Sequence, residues 1–477
     1  MQTSPTAASD DSGGLSANSV GFFHVFAQGL IANGPLAATT VALTAAASYA
    51  LGATPIAYLV GIVVVLLWIN TPYQFSTKLA SASGVAYFVN KGMGGVWGYL
   101  AGLSYVTYYI ALIPANALFF GIMVVYLLPT LGVAHPAGWL WAPLAVLLII
   151  PSTVLAYVGI RTSLNYAVVA AVLEVIILVA ISLVIILSPK THNTAAVFNP
   201  NLAHNGLGGF AIGLLVAAFG MSGSTATAYL GAEARLPHAT VKRALIWVTI
   251  VVVCLFALIS YAFTVGWGYH NMSSFASGSV PGLVLVTRYL GTGVELVLAI
   301  FIINSLISVN LAATIVSSRV IMTFGRAHLL PSALGTTTAK YRTPGPAVLA
   351  CAGIGAVFGI VAAIVWGPAT GFIVLILLAT MGEFLGHILG NIALPIYFRR
   401  QHLGRWLVHV VLPILSLATI VLGIFYTFFP ISSPFIYPAV FSFLVLVAGA
   451  IQYGLTIRSR ASRDRVQAAF GLTGQEL

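Results

Sequence analysis

Charged residues are scarce in this sequence. Of its 477 residues, only 6% are Asp, Glu, Lys or Arg, whereas 60% are hydrophobic, and the mean hydropathy is +1.04. Soluble domains carry roughly 25% charged residues, so this composition excludes a soluble globular protein. The chain is expected to be a polytopic membrane protein that is organised by the lipid bilayer rather than by a single core.

Acidic residues are fewer than basic ones, 8 against 19, which gives a formal net charge of +11. Such an excess can indicate a nucleic-acid partner, but the positions of the charges argue against one. With the helices given below, Lys190 and Arg288 lie on the outer side, and the other basic residues lie at inner helix ends or in inner loops. This positive-inside bias places both termini in the cytoplasm.

Cysteine is also rare. Cys254 and Cys351 lie within apolar runs and are expected to be small buried hydrophobic residues, with no disulfide or metal framework. The sequence has no HExxH zinc motif, no phosphate-binding glycine loop and no nucleophile elbow. We therefore expect no cofactor, no metal, no catalytic residue and no enzyme activity.

Apolar runs long enough to cross a bilayer predict about twelve helices. Their approximate bounds are 20–50, 55–76, 96–128, 140–158, 163–187, 208–236, 244–267, 294–324, 347–366, 371–398, 406–429 and 434–455. The first is interrupted by Ala32-Asn33-Gly34-Pro35, where proline removes a backbone donor. The sixth is interrupted by Gly220-Met221-Ser222-Gly223, because glycine is a poor helix former, and it is expected to resume as a helix at Ser224.

The two interruptions lie five helices apart, and this spacing predicts two five-helix units of opposite orientation. Backbone released from a helix in lipid is tolerated only where it lines a cavity or meets a ligand, so a substrate site is expected near mid-membrane, between the breaks. A simple Gly or Pro kink in each helix is the alternative. The expected segments are a disordered cytoplasmic tail at 1–18, repeat units at 19–187 and 208–400, helices eleven and twelve at 404–456, and a cytoplasmic tail at 457–477.

Several motifs resemble those of the amino acid–polyamine–organocation (APC) superfamily of secondary transporters. Residues 83–89 and 94–102 resemble its glycine- and tyrosine-bearing segment after helix two, and residues 223–237, GSTATAYLGAEARLP, resemble its sixth-helix signature. Helix eight resembles the superfamily through Ser308-Val309-Asn310, Ser318-Arg319 and Gly325-Arg326, with weaker matches at 343–344 and 391–394. The resemblance covers about residues 15–405 and implies an amino acid permease with a LeuT-like fold, whose helices 1 and 6 are discontinuous.

The resemblance also implies that donors at the first break hold an amino acid's carboxylate and that carbonyl groups at the sixth-helix break hold its amine. The implied substrate-binding residues are Ala32, Asn33, Gly34, Leu36, Ala37, Phe219, Gly220, Met221, Ser222, Gly223 and Thr225. Phe219 resembles an aromatic lid in position; the alternative is an ordinary core-facing or lipid-facing phenylalanine. Two departures stand out. Pro35 offers no N–H, and Thr225 stands where many members carry an acid, which favours neutral substrates.

Two regions of the predicted membrane helices carry acids that are candidates for proton coupling. A carboxylate at the bilayer centre costs about 2.5–3.5 kcal/mol on insertion scales, so such a residue is a functional hypothesis. Glu174 lies near the middle of helix five and resembles in position a buried lysine of several APC members that is thought to replace a sodium ion. We expect it to carry a proton; a packing hydrogen bond to a neighbouring helix is the alternative.

Glu383 and His387 are four residues apart on helix ten and therefore share one face. Together they could relay a proton or bind a polar group of the substrate. A structural hydrogen bond between helices is the alternative.

The sequence thus predicts a secondary transporter of amino acids in the cytoplasmic membrane of a bacterium, driven by protons and working by alternating access. Its partners are a small-molecule substrate, protons and the lipid bilayer, with no nucleic acid, and its oligomeric state is left open. A transporter of polyamines or other organic amines, with Glu383 as the amine's partner, is an alternative, as is an amino acid exchanger. A membrane nutrient receptor is disfavoured, because the tail after Arg458 offers no signalling domain.

Overall fold

The structure of the protein is a computed structural model that describes residues 14–429, 431–472 and 474–476. Most of the predicted N-terminal tail, residues 1–13, lies outside the described residues. The α-helices are α1 (Phe22–Ala32), α2 (Pro35–Ala38), α3 (Ala42–Ala50), α4 (Thr54–Ser76), α5 (Val85–Met93), α6 (Gly95–Leu127), α7 (Trp141–Tyr157), α8 (Ile160–Leu187), α9 (Leu207–Gly220), α10 (Pro237–Trp267), α11 (Met272–Ala276), α12 (Pro281–Leu290), α13 (Thr292–Arg326), α14 (Gly345–Trp366), α15 (Pro368–Arg400), α16 (Leu412–Phe428), α17 (Tyr437–Thr456) and α18 (Arg460–Leu472). Two short strands, β1 (Leu79–Ser81) and β2 (Gly474–Glu476), pair antiparallel.

Within the described residues, ten helical stretches are long and apolar enough to cross a membrane. The shorter apolar α7 and the interrupted first helix complete the set of about twelve expected from the sequence. Apolar side chains on their outer sides are exposed, as Ile364 at 73% and Leu187 at 77% illustrate, and such surfaces suit contact with lipid. The prediction of an all-helical polytopic membrane fold is confirmed.

The first membrane helix is interrupted where the sequence predicts and again one turn later. Gly34 has a φ of +49°, a left-handed conformation that glycine adopts readily. Pro35 then occupies the first position of α2, where a missing N–H costs no helical bond. The second interruption, between α2 and α3, was not expected. There the hydroxyls of Thr39 and Thr40 donate to backbone carbonyl oxygens three residues earlier and compete with regular helix.

The sixth membrane helix is also interrupted as predicted, but it does not resume as an α-helix. After α9 ends at Gly220, residues Gly223–Leu230 form a 3₁₀-helix, and all eight of its residues are buried. The segment is rich in Gly, Ser and Thr, which are weak α-helix formers. The Thr227 hydroxyl donates to the Ser224 carbonyl oxygen at 2.9 Å, within this tighter winding.

Helices α6 and α15 approach each other closely at two glycines. A Cβ atom added at Gly382 would lie 2.7 Å from the Ser104 carbonyl oxygen, and one at Gly386 would lie 2.5 Å from the Tyr105 ring. Small residues allow membrane helices to pack at such short separations. This contact places the residues that follow each glycine, Glu383 and His387, at the interface between the two helices.

A buried ion pair joins the end of the sixth membrane helix to α13. Arg319 donates from Nε to Glu233 Oε2 at 2.6 Å and from Nη2 to Oε1 at 3.0 Å, and both side chains are buried. The chain before α1 adds to this junction, because the Val20 N–H donates to the Glu233 carbonyl oxygen at 3.1 Å. The start of α1, the sixth helix and α13 are therefore connected at one end of the bundle.

The C-terminal segment lies at the same end. The sequence indicated only a tail at 457–477, whereas residues 460–472 form α18. Phe470 of α18 is buried, and its ring centroid lies 6.3 Å from that of Phe324 in α13. Both described termini therefore lie on one side of the bundle, as an even number of membrane crossings requires.

The buried pair gives a test of the fold. We expect Glu233→Gln to lower the free energy of unfolding by about 3–5 kcal/mol, since it leaves the Arg319 charge buried without a counter-charge. Denaturant unfolding of the purified protein in detergent measures the change. The double variant Glu233→Gln/Arg319→Met removes both charges and should regain most of the lost stability. A Glu233→Gln protein as stable as the parent would contradict this account.

Candidate substrate site

The two interrupted helices contact each other directly. The Gly223 N–H donates to Asn33 Oδ1 at 3.0 Å, and the Asn33 side chain donates from Nδ2 to the Gly29 carbonyl oxygen at 2.8 Å. A Cβ atom at Gly223 would lie 2.8 Å from the carbonyl group of Ala32. Only glycine fits at this contact without displacing backbone, so Gly223 allows the sixth-helix break to pack directly against the first.

Two N–H groups of α2 are bound by side chains from other helices. The Leu36 N–H donates to Glu174 Oε2 at 3.2 Å, and the Ala37 N–H donates to Ser305 Oγ at 3.3 Å. Ser305 in turn donates to the same Glu174 oxygen at 2.9 Å. Glu174 is fully buried, and its Oε1 atom has no hydrogen-bond partner in the described part of the chain. Glu174 from α8 is therefore hydrogen-bonded to the backbone of the first break.

The other predicted donors at the first break are bonded locally. The Asn33 N–H donates to the Leu30 carbonyl oxygen at 3.1 Å, and the Gly34 N–H donates to the Ile31 carbonyl oxygen at 3.0 Å. Of the predicted residues at the first break, Leu36 thus bonds to Glu174 directly and Ala37 through Ser305, whereas Asn33 bonds to the sixth-helix break. Their role in binding a carboxylate stays a prediction.

At the sixth-helix break, a side chain of the break supplies a hydrogen bond to its own backbone, and aromatic rings pack alongside. The Ser222 hydroxyl donates to the Phe219 carbonyl oxygen at 2.7 Å. The Phe219 ring centroid lies 6.5 Å from that of Tyr108 in α6 and 6.3 Å from that of Phe384 in α15. Phe219 is therefore packed at the break, where an aromatic lid was predicted. Met221 and Thr225 are buried beside it.

Three tyrosines of α6 line this region and were not singled out from the sequence. Tyr105, Tyr108 and Tyr109 are spaced as one helical face, and this spacing in SYVTYY was the available signal. The Tyr109 hydroxyl lies 3.5 Å from the Thr225 hydroxyl, and the ring centroids of Tyr108 and Tyr109 are 4.3 Å apart. We call these three residues the tyrosine cluster. It connects the sixth-helix break to α15.

Glu383 and His387 lie on the other side of the tyrosine cluster. Both are buried, and His387 Nε2 lies 3.6 Å from Glu383 Oε1, too far for a hydrogen bond. Neither Glu383 oxygen nor His387 Nε2 has a hydrogen-bond partner among the described residues. At these three atoms the structure therefore has no hydrogen bond to a neighbouring helix of the kind considered as the structural alternative.

Other polar contacts beside the site were also missed. Ser305 joins Glu174 to α2, and Asn116 Nδ2 of α6 donates to Asn310 Oδ1 of α13 at 2.9 Å. The available signal was an isolated polar residue within an apolar helix, which usually faces another helix rather than lipid. The sequence cannot pair such residues, since the pairing depends on how the helices rotate and pack.

Comparison with known proteins identifies the family of this chain. The amino acid permease family matches residues 29–465 of the chain. A curated relative, the branched-chain amino acid permease BcaP of Lactococcus lactis subsp. cremoris (strain MG1363), is 25% identical over 280 residues, which cover 56% of this chain and 59% of that protein. The aligned stretch thus spans less than two thirds of that relative. Because the family match extends over nearly the whole chain, this protein belongs to the amino acid permease family.

Proposed function

We propose that this permease is a secondary active transporter that moves an amino acid across the cytoplasmic membrane of a bacterium by alternating access. The observation that carries the proposal is the direct contact between two interrupted membrane helices at Asn33 and Gly223. A substrate that binds between these breaks must separate them. Such a separation is the type of movement that opens a central site to one side of a membrane and closes it to the other.

The excess of Lys and Arg at one end supports a cytoplasmic location for both termini. Val20 and Phe470 lie at the end of the bundle that holds the Glu233–Arg319 pair. The side of the membrane that this end faces therefore fixes the orientation of the whole protein. We place this end in the cytoplasm. The two five-helix units, residues 19–187 and 208–400, then have opposite orientations in the membrane.

Glu174 is the proposed site of proton coupling. Its carboxyl group accepts the Leu36 N–H, which is one of the donors predicted to hold the carboxylate of the substrate. A neutral carboxylic acid is a weaker acceptor than a carboxylate, so protonation of Glu174 would release this donor to an incoming substrate. Proton and substrate would then bind together, as symport requires.

The amino acid substrate follows from the family and from the predicted backbone recognition at the breaks. The name of the Lactococcus relative specifies branched-chain amino acids, and Thr225 in place of an acid also favours a neutral side chain. A second candidate function, transport of an organic amine, is favoured by the unpartnered carboxyl group of Glu383.

The contact between the breaks can be tested with one methyl group. We expect Gly223→Ala to reduce the transport rate at least tenfold, because its Cβ would collide with the Ala32 carbonyl group and push the breaks apart. Uptake of labelled amino acid into proteoliposomes measures the loss. The control is Gly353→Ala in α14, where a Cβ atom meets no other atom within 4 Å. Equal transport by Gly223→Ala and the parent would refute the proposed role of this contact.

The coupling role of Glu174 is tested by Glu174→Gln. Glutamine keeps an acceptor oxygen for Leu36 and Ser305 but cannot gain or lose a proton in the accessible pH range. We expect uphill uptake driven by a pH gradient to be abolished, while substrate binding and exchange persist in part. Uphill uptake is measured in proteoliposomes with an imposed pH gradient, and substrate binding is measured by ligand-induced thermal shifts. Mutant uptake that still follows the gradient would exclude Glu174 as the coupling residue.

A further inference from the structure

We propose that Glu383, with His387 and the tyrosine cluster, forms a subsite for an ammonium group at the far end of the transported molecule. The inference rests on the proposed transport function and takes up its second candidate, an amine, because the acid that is absent at Thr225 is present at Glu383. The molecule would be either an amino acid with a second amine in its side chain or a polyamine. Each of these molecules would place an ammonium group at Glu383. Only the amino acid would also place a carboxylate at the first break.

The first observation is a buried acid without a partner. Glu383 is fully buried, and both of its carboxyl oxygens lack a hydrogen bond among the described residues. In the described part of the chain Glu383 Oε1 lies 3.6 Å from His387 Nε2, and Glu383 forms no ion pair with Lys or Arg. A buried carboxylate without a partner is strongly disfavoured, so an external group of opposite charge would stabilise the ionised form of this side chain.

The second observation is the aromatic surface around this acid. The two glycines that flank this stretch of α15 lie against the tyrosine cluster: a Cβ atom at Gly382 would lie 2.7 Å from the Tyr108 backbone nitrogen, and one at Gly386 would lie 2.5 Å from the Tyr105 ring. The Tyr105 ring centroid lies 6.1 Å from that of the His387 ring. The Trp68 ring centroid lies 5.9 Å from that of the His387 ring. The faces of Tyr and Trp rings attract cations. A carboxyl group among several such rings is the combination that binds an ammonium group.

The third observation is the rigidity of the position. Gly382 packs α15 against the backbone of α6, and Gly386 packs it against the Tyr105 ring, so rotation of α15 would break both contacts. Phe384, the next residue, packs between α16, where its ring lies 3.0 Å from the position of a Cβ at Gly423, and the ring of Phe219, 6.3 Å away between centroids. The acid is therefore fixed toward the tyrosine cluster.

The fourth observation connects this subsite to the breaks. The tyrosine cluster contacts the sixth-helix break through the Tyr109 and Thr225 hydroxyls, 3.5 Å apart, and through the rings of Tyr108 and Phe219. A substrate held by its backbone groups at the breaks can extend its side chain along these tyrosines. Its end would then reach Glu383.

The test uses Glu383→Gln, which keeps the shape of the side chain and removes its charge. Binding of lysine, putrescine and leucine to the purified full-length protein is measured by thermal shift, and uptake is measured in proteoliposomes. We expect the parent to bind lysine or putrescine more tightly than leucine. Glu383→Gln should weaken binding of the amine ligands at least tenfold and leave leucine binding within twofold.

The matched control is Glu295→Gln, which neutralises another buried acid, in the first turn of α13 and outside the proposed site. It should leave all three affinities unchanged. If Glu383→Gln does not yield folded protein, Glu383→Asp replaces it. That variant keeps the charge but withdraws it by one methylene group, so it should retain the preference for amines with weaker binding.

The outcomes identify the ligand class and distinguish failure of the ammonium subsite from failure of the proposed transport function. Putrescine binding that depends on Glu383 identifies a polyamine, whereas dependence for lysine alone identifies a dibasic amino acid. If the parent transports leucine and prefers it, or if the Glu383 variants bind all three ligands as the parent does, the ammonium subsite is overturned while amino acid transport stands. If the parent shows neither binding nor uptake across a full panel of amino acids and polyamines, the proposed function itself is refuted.

Discussion

The structure depends on one constraint: peptide groups that leave a helix inside a membrane need partners other than water. Here the two interrupted helices supply partners for each other and take others from neighbouring helices. The Gly223 N–H uses the Asn33 side chain, and the Leu36 N–H uses Glu174. The broken segments are thus held by long-range contacts that a change elsewhere in the bundle can make or release. An unbroken helix, bonded within itself, offers no such control.

Much of the fold could be predicted from the sequence, because its strongest signals are local. Long apolar runs give the membrane helices, and Gly34-Pro35 and Gly220 to Gly223 give the interruptions. Local signals failed where several weak preferences compete. The second interruption at Thr39–Val41 and the 3₁₀-helix at Gly223–Leu230 depend on hydroxyl groups that bond to nearby carbonyl groups and on complete burial, which neither hydropathy nor glycine content reveals.

The candidate site was predicted less completely, for a physical reason. The sequence indicated which polar residues lie in apolar helices, and Glu174, Glu383 and His387 are indeed buried. It could not indicate that Ser305 bridges Glu174 to α2, or that Glu383 lacks a hydrogen-bond partner. These relationships depend on the rotation of each helix about its own axis. That rotation is set by close contacts such as those at Gly382 and Gly386.

The glycine contacts between α6 and α15 also constrain how this protein can diverge. Any side chain added at Gly382 or Gly386 would meet the backbone of α6 or a tyrosine ring, so the intervening acid cannot move along its helix without loss of the contact. At Gly382 the contact on α6 is with backbone atoms, so the side chain of Tyr108 is not part of it. Drift toward a new substrate would therefore be expected to alter α6 first, around an acid whose location is inherited with the helix packing.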